Sequence, residues 1–499
     1  MGAWLVAELE GLGLPVVLPR WGLVVLAVLS SVAIVDRIVR PFAGWLVRWR
    51  AEQAFDRLNA ELRLKLQSFK MTRRRVLIER LLADPEVLVA VEAYAGEKGV
   101  PLKVATRKAR TYAREIVPAF STYAYFRIGT RLARIISRSL YRVRLGVVDP
   151  MAMDGVPPNA SVVFVINHRS NIDYVLVTYV AATASALSYA VGEWAQVFGL
   201  RELIRTMGAY FIRRNSGDQL YRRVLARYVD MATKAGVVQA VFPEGGLSRD
   251  GHLKPAKLGL ITYMVSDFDP NGSRDIVFIP VGLNYDRVLE DRILLAAAMT
   301  PAGETPRFGF SLATFLRYQL RSLWLRLTGR WHRYGYACVS FGRPVSLKAF
   351  LAARAHDMRA LPPERRRAEI EALGEHLMGE VGHVVPALPV PLAASALLAE
   401  GGRALTAFEL KARIQRLIED LEARGHYVHI PRGDRDYAVE AGLRVLRERR
   451  LVELVDGAYA PVKSELPVLQ YYANSLAHLL AKADVPRVHS AQPAHVLPA

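Results

Sequence analysis

A single cysteine, Cys338, occurs in 499 residues. Internal disulfides are thereby excluded, and a reducing compartment suits the chain. Cys338 lies in the apolar run YACVSFG, the setting of a buried structural thiol rather than a nucleophile. Internal repeats, low-complexity tracts and clusters of metal ligands are also missing, so neither a metal nor a bound cofactor is expected. Acidic residues are in short supply: 47 Asp and Glu stand against 67 Lys and Arg, a formal net charge of +20. Such a balance calls for an anionic partner, whether nucleic acid, acidic lipid headgroups or phosphorylated substrates. The hydrophobic fraction of 52% favours a membrane surface over nucleic acid.

Long apolar runs are scarce as well. Trp21 to Val35 is uncharged and apolar but shorter than the roughly 18 to 20 residues that cross a bilayer. Extended back past Arg20 to Val16, it can span. Arg37, Arg40, Arg48 and Arg50 would then hold the remainder on the cytoplasmic face of the cell inner membrane. A re-entrant or surface helix, or a buried core helix, is the alternative. Glu8 and Glu10 stand where a signal peptide carries positive charge, which argues against a cleaved leader.

What the chain does have is a candidate base. Ser161 to Ile166 (SVVFVI) is a β-branched apolar run bounded by polar residues, the pattern of a buried strand. His168 follows at the carboxyl end of that strand, where open α/β sheets bind ligands. If a helix begins at Arg169, Asp173 on its first turns can reach back to one ring nitrogen of His168. The tautomer would be fixed and the other nitrogen left as a base. Three further runs end in charged or glycine-rich loops. Gly208 to Arg214 (GAYFIRR) closes on Arg213 and Arg214, suited to bidentate phosphate contacts. Val237 to Phe242 leads into Pro243, Glu244, Gly245, Gly246, then Ser248 and Arg249, where glycines let backbone N–H groups approach an anion. Ile276 to Val281 (IVFIPV) leads into GLNYD, with Pro280 shaping a cleft wall or marking an edge strand. Each alone also reads as a basic strand terminus, a turn or a core strand. Together they put a base, a carboxylate and positive charge on one edge of one sheet.

HRSNIDYVL, GAYFIRR, FPEGGLSRDG and IVFIPVGLNYD, in this order and spacing, resemble the four acyltransferase blocks of the bacterial membrane-bound glycerol-3-phosphate acyltransferases. The likeness reaches back to LLADPEV and AREIVPAFSTYAYFRIGTRLARIISRSLY, and on to PALPVPLAASALL and LPVLQYYANSLAHLLA. It implies that His168 is the general base and Asp173 its orienting partner. Arg213, Arg214, Glu244, Gly245, Ser248 and Arg249 would hold glycerol 3-phosphate. The implied reaction moves a fatty acyl group from acyl-CoA or acyl carrier protein to the 1-hydroxyl of glycerol 3-phosphate, giving lysophosphatidate for phospholipid synthesis. Backbone N–H groups near Gly245 and Gly246 are candidates for the oxyanion. Two departures stand out. Leu247 replaces the first arginine of the usual EGGRSRTG block, with Lys254 or Lys257 as possible substitutes, and Pro243 is more like the FPEG of lysophosphatidate acyltransferases. Lysophosphatidate acylation is therefore the alternative, and outside enzymes a non-catalytic lipid- or DNA-binding protein.

The order of elements implies an α/β fold, a glycerolipid-acyltransferase-like sheet with flanking helices, between a helical region and a smaller α+β domain. Residues 1–50 form an apolar membrane-associating segment and 51–148 a basic helical region. The acyltransferase domain covers 149–385, with further strands at Ser185 to Val191 and Tyr336 to Phe341, and 386–499 a winged-helix-like domain. Thr72 offers a helix cap, and Tyr123 to Leu145 is expected as a helix carrying Arg127, Arg131, Arg134, Arg138, Arg142 and Arg144 towards anionic headgroups. Pro386, Pro389 and Pro391 punctuate the last boundary. Phe408 to Ala423 and Tyr437 to Arg449 read as helices before a hairpin, and Arg444, Arg447, Arg449 and Arg450 raise DNA binding.

Overall fold

The structure is a computed structural model that describes residues 4–7, 16–19, 21, 67–148, 156–181, 186–192, 200–213, 216–299, 333–399 and 401–481. The chain divides into two compact units, Met1–Leu62 and Arg63–Ala499. In the smaller, β1 (Trp4–Ala7) pairs antiparallel with β2 (Val16–Pro19). Extension of an apolar helix back to Val16 is therefore replaced by a strand, and the stretch after Trp21 lies outside the described residues. Among the described residues no helix is long and apolar enough to cross a membrane.

After a short helix, Ser68–Met71, the larger unit continues with α1 (Arg74–Leu82), α2 (Pro85–Lys98) and α3 (Leu102–Ile116). Asp84 caps α2 by accepting the Glu86 and Val87 amides, with Pro85 in the first turn, where its missing N–H costs nothing. Thr72 does not cap α1: its hydroxyl donates back to the Ser68 carbonyl, closing the short preceding helix. A π-helical turn, Ala124–Gly129, runs into α4 (Thr130–Leu140). Tyr141 then turns extended and the chain enters β3 (Arg142–Val148), so Arg142 and Arg144 belong to a strand and not to the expected helical face.

β3 is the edge of the main sheet. With β4 (Ser161–Ile166), β5 (Ser188–Val191), β6 (Tyr210–Phe211), β7 (Gln239–Val241), β8 (Ile276–Tyr285), β9 (Tyr336–Phe341) and the short β10 (Val345–Ser346), it has the order β3-β9-β8-β4-β7-β5-β6. Neighbours are parallel except β8 with β9 and β8 with β10. β4 is buried throughout, and its alternate residues feed two cores. Val162, Phe164 and Ile166 join one core with the C-terminal helices, and Val163 and Val165 join another with α1 to α3. Pro280 is not on an edge strand. Its carbonyl accepts from Gly342, at the gap where the partner of β8 changes from β10 to β9, so its missing N–H falls where no ladder partner stands.

α5 (Asp173–Ala181) follows β4, and α6 (Gln219–Lys234) precedes β7. After the sheet come α7 (Pro363–His383) and the buried α8 (Pro389–Leu398), whose first turn takes Pro389 and Pro391. Then β11 (Leu405–Thr406), α9 (Ala407–Ala423), α10 (Arg435–Glu448), β12 (Val452–Val455) and β13 (Ala458–Pro461) build a winged-helix order, with a sheet ordered β11-β13-β12. A Thr406–Glu409 capping box starts α9. Asp456 and Gly457 both take positive φ between β12 and β13, as a tight two-residue hairpin requires. A helix after the hairpin, α11 (Leu466–Asn474), packs beneath the candidate site.

Candidate active site

His168 stands two residues beyond the end of β4. Asn167 extends the strand's register with its side chain: Nδ2 donates to the Leu283 carbonyl (2.9 Å) and Oδ1 accepts the Leu283 amide (2.7 Å). The chain turns at His168, and a network of hydrogen bonds holds the turn. The His168 amide donates to Glu244 Oε1 (2.8 Å), and its carbonyl accepts the Ser248 amide (2.9 Å). His168 Nδ1 lies 2.9 Å from Asp173 Oδ2. That same oxygen accepts the amides of Arg169 (2.7 Å) and Ser170 (3.0 Å), and Asp173 Oδ1 accepts the Tyr285 hydroxyl (2.6 Å). Asp173 thus opens α5 while closing the loop before it, and the helix begins there, not at Arg169.

With Asp173 as acceptor, the ring hydrogen sits on Nδ1 and the lone pair on Nε2. Among the described residues Nε2 has no protein partner. The imidazole is 2% exposed, lies 4.3 Å from the Phe242 ring at a 32° tilt, and meets Tyr174 edge-on at 5.4 Å. Packing and hydrogen bonding therefore fix both its plane and its tautomer. A fixed imidazole with one open lone pair can take a proton from a hydroxyl brought against it.

The third loop serves this turn. Glu244 is buried, and besides the His168 amide it accepts the Lys254 amide (3.3 Å) on Oε2. Burial pushes its carboxyl up to about 7 against the pull of those two amides and of Arg169. Ser248 Oγ donates to the His252 carbonyl (2.7 Å) and receives the Gly251 amide (3.1 Å). The Gly245 amide is spent on the Phe242 carbonyl (3.0 Å), which removes it as an oxyanion donor in this arrangement. Leu247 packs its half-buried side chain on the core. Arg249 is exposed and leans to the Ala297 carbonyl, and Lys254 and Lys257 complete the rim of the loop.

Expected residues are thus only partly together. His168, Asp173, Glu244, Gly245 and Ser248 form one network, but Glu244 and Ser248 face the backbone of the base-bearing turn and not open space. Arg213 is elsewhere. It lies two residues past β6, which is three strands from β4, or about 14 Å at the usual strand spacing of about 4.8 Å. Its guanidinium is held bidentate by Glu115 of α3 (2.9 and 2.6 Å) between the rings of Tyr112 and Tyr221. Glu115 holds it charged well above the ordinary arginine range. Arg214 lies outside the described residues.

Three residues of the site were not singled out from sequence. Tyr285 fastens Asp173, as above. Glu290 accepts the Ser170 hydroxyl (2.7 Å) and the Asn171 amide (3.2 Å). Arg169 is fully buried, and its guanidinium donates to the carbonyls of Gly251 and Ser475. A charged side chain placed directly after the histidine was the available signal.

Comparison with known proteins bears on this network. A model described as "Acyltransferase" matches residues 151–284, and one described as "Glycerol-3-phosphate acyltransferase C-terminal region" matches 323–483. Residues 151–284 thus resemble acyltransferases, and 323–483 the C-terminal region of glycerol-3-phosphate acyltransferases. Curated relatives named glycerol-3-phosphate acyltransferase include one from Aeromonas hydrophila, 28% identical over 83% of this chain and 51% of its own length. Another, from Pseudomonas putida, is 26% identical over 82% of this chain and 49% of its own. The chain thus spans about half the length of the curated relatives it matches. A solved 1-acyl-sn-glycerophosphate acyltransferase, PlsC from Thermotoga maritima, covers 52% of this chain and 78% of its own at 16% identity, with a TM-score of 0.28. The second match begins before β9 and runs through α11, so it takes in the last strands of the sheet together with the winged-helix layer.

Proposed function

We propose that the protein transfers a fatty acyl group from a thioester, acyl-CoA or acyl carrier protein, to the 1-hydroxyl of sn-glycerol 3-phosphate. The observation that carries the reading is the oriented His168–Asp173 pair with its open Nε2, in a chain whose curated relatives bear that enzyme's name. Nε2 takes the hydroxyl proton as the oxygen attacks the thioester carbonyl. The C–S bond then breaks, and the departing thiolate takes the proton back from the imidazolium, so no acyl-enzyme forms. Asp173 orients the ring and balances its transient charge. Glu244 and Ser248 hold the turn that carries the base. Arg249, Lys254 and Lys257 are the cations we assign to the acceptor phosphate, in place of Arg213.

A setting at the cytoplasmic face of the inner membrane belongs to the same reading. It is supported by the charge of +20 and by the helix around α4, where exposed Tyr123, Ile128, Leu132 and Ile135 alternate with exposed Arg127, Arg131, Arg134 and Arg138. Radiolabelled glycerol 3-phosphate and lysophosphatidate, each offered with palmitoyl-CoA, separate the acceptors. Label entering lysophosphatidate supports the reading, and acylation of lysophosphatidate alone, the preference Pro243 suggests, overturns it.

A further inference from the structure

At the β3 edge of the sheet, four arginines converge where the winged-helix layer meets it. Arg142 lies 5.7 Å from the Tyr336 ring, and its charge bears on the Tyr437 hydroxyl. Arg144 lies 5.9 Å from the Tyr336 ring, Arg432 4.2 Å from the Tyr437 ring and Arg444 5.9 Å from the same ring. Two come from β3, one from the turn before α10 and one from α10 itself. Arg144, Arg432 and Arg444 are exposed, and Arg142 and Tyr437 are half-buried. Among the described residues none of the four forms an ion pair, and Arg144 donates only to the neighbouring Val143 carbonyl (3.1 Å). The contrast with the neighbouring surface is sharp: Arg435 pairs with Glu419 and Glu422, and Lys411 with Asp436. The carboxylate that acts on Arg142 is buried Asp286, whose oxygens accept the Tyr336 and Val390 amides. Like charges gathered without counter-charge are costly unless a ligand supplies it.

Position narrows the ligand. β9 runs antiparallel to β8, so the amino-terminal ends of β9 and β3 share an edge with the carboxyl ends of β8 and β4, where His168 stands. Arg144 is level with Cys338 and so with Asn284, one residue past the Leu283 that Asn167 grips. Laterally it is three strands from β4, about 14 Å at the usual spacing of about 4.8 Å. The acceptor phosphate lies a few bonds from its reacting hydroxyl and cannot reach that far. A coenzyme A thioester differs: its reacting carbonyl sits at one end of a pantetheine arm, and its pyrophosphate and 3′-phosphate at the other.

Resting on the acyl-transfer reading above, we infer that Arg142, Arg144, Arg432 and Arg444 form the binding site for the phosphates of a coenzyme A donor. Planar guanidinium forks suit those phosphates, and the Tyr336 and Tyr437 rings hold the forks in place. DNA is not the ligand this surface fits, because α10 carries Asp436, Glu440 and Glu448 among its arginines and would repel a phosphate backbone.

The test uses the full chain and reads binding directly, so that it survives failure of the catalytic reading. Coenzyme A titrated calorimetrically into His168→Ala protein should bind, and Arg432→Gln/Arg444→Gln in that background should bind about tenfold more weakly or worse. Dephospho-coenzyme A should bind wild type more weakly than coenzyme A does, and the variant should narrow that gap. In otherwise wild-type protein, the KM for palmitoyl-CoA should rise about tenfold, with kcat and the KM for glycerol 3-phosphate held. Unchanged coenzyme A affinity in the double variant overturns the assignment. So does a rise confined to the glycerol 3-phosphate KM, to an acyl carrier protein donor, or to release from anionic vesicles. Arg432 and Arg444 are exposed, and an unaltered urea midpoint confirms that the variant is folded.

Discussion

His168 depends on residues that never meet substrate, and each makes a separable contribution. Asp173→Asn puts an amide where three donors point at Oδ2, so it disturbs both tautomer and loop; a fall in kcat of about two to four orders of magnitude is expected by steady-state assay. Tyr285→Phe removes only the contact to Oδ1 and should cost about tenfold, about the effect of one charge-assisted hydrogen bond. Glu244 offers a test by pH. Its folded carboxyl titrates at about 7 against an ordinary value of about 4.3, so between those limits the folded state binds the extra proton. Its contribution to stability is present in full below the lower value and lost as pH rises through 7. Urea midpoints of wild type should therefore fall more steeply from pH 5 to 8 than those of Glu244→Gln, and parallel slopes would remove Glu244 from that account. Sequence alone could place His168 and Asp173 together because they are neighbours in the chain. It could not show that Glu244 serves the backbone of residue 168, or that Arg213 is taken by a glutamate 98 residues away.

Among the elements, continuous β-branched runs were the most legible. Ser161–Ile166 and Tyr336–Phe341 form strands over the expected residues, and the winged-helix order follows from helical periodicity and the Asp456–Gly457 turn. β3 was misread because Arg142 and Arg144 continue an arginine series spaced for a helix. Their own spacing of two is that of a strand, and pairing with β9, nearly 200 residues on, decides it. Coupling between α11 and the third loop was not legible at all. Gly251 has φ +90°, and a Cβ there would fall on the Tyr471 carbonyl of α11. Gly251→Ala should destabilise the fold by about 3 kcal/mol and lower activity along with it. Differential unfolding checks the first part, and a variant as stable as wild type would mean that α11 does not constrain the loop.

For the molecule as a whole, a strongly basic chain with an apolar, arginine-lined helix should attach to anionic bilayers through both features. Ile128→Glu/Ile135→Glu in the full chain should reduce cosedimentation with anionic vesicles at any salt. Arg131→Gln/Arg138→Gln should reduce it mainly at low salt, where charge acts over a longer range. Equal binding by all three proteins would remove the α4 face as the contact. Composition had pointed to a membrane surface, yet which residues face outward became visible only with the packing of α4.

The central claim is that His168 is the base of an acyl transfer to glycerol 3-phosphate. Turnover of radiolabelled glycerol 3-phosphate with palmitoyl-CoA, measured for wild type and His168→Ala at matched urea midpoints, tests it most directly. The expected result is labelled lysophosphatidate from wild type and a loss of about two to four orders of magnitude in the variant. Near-wild-type turnover by folded His168→Ala protein would contradict it.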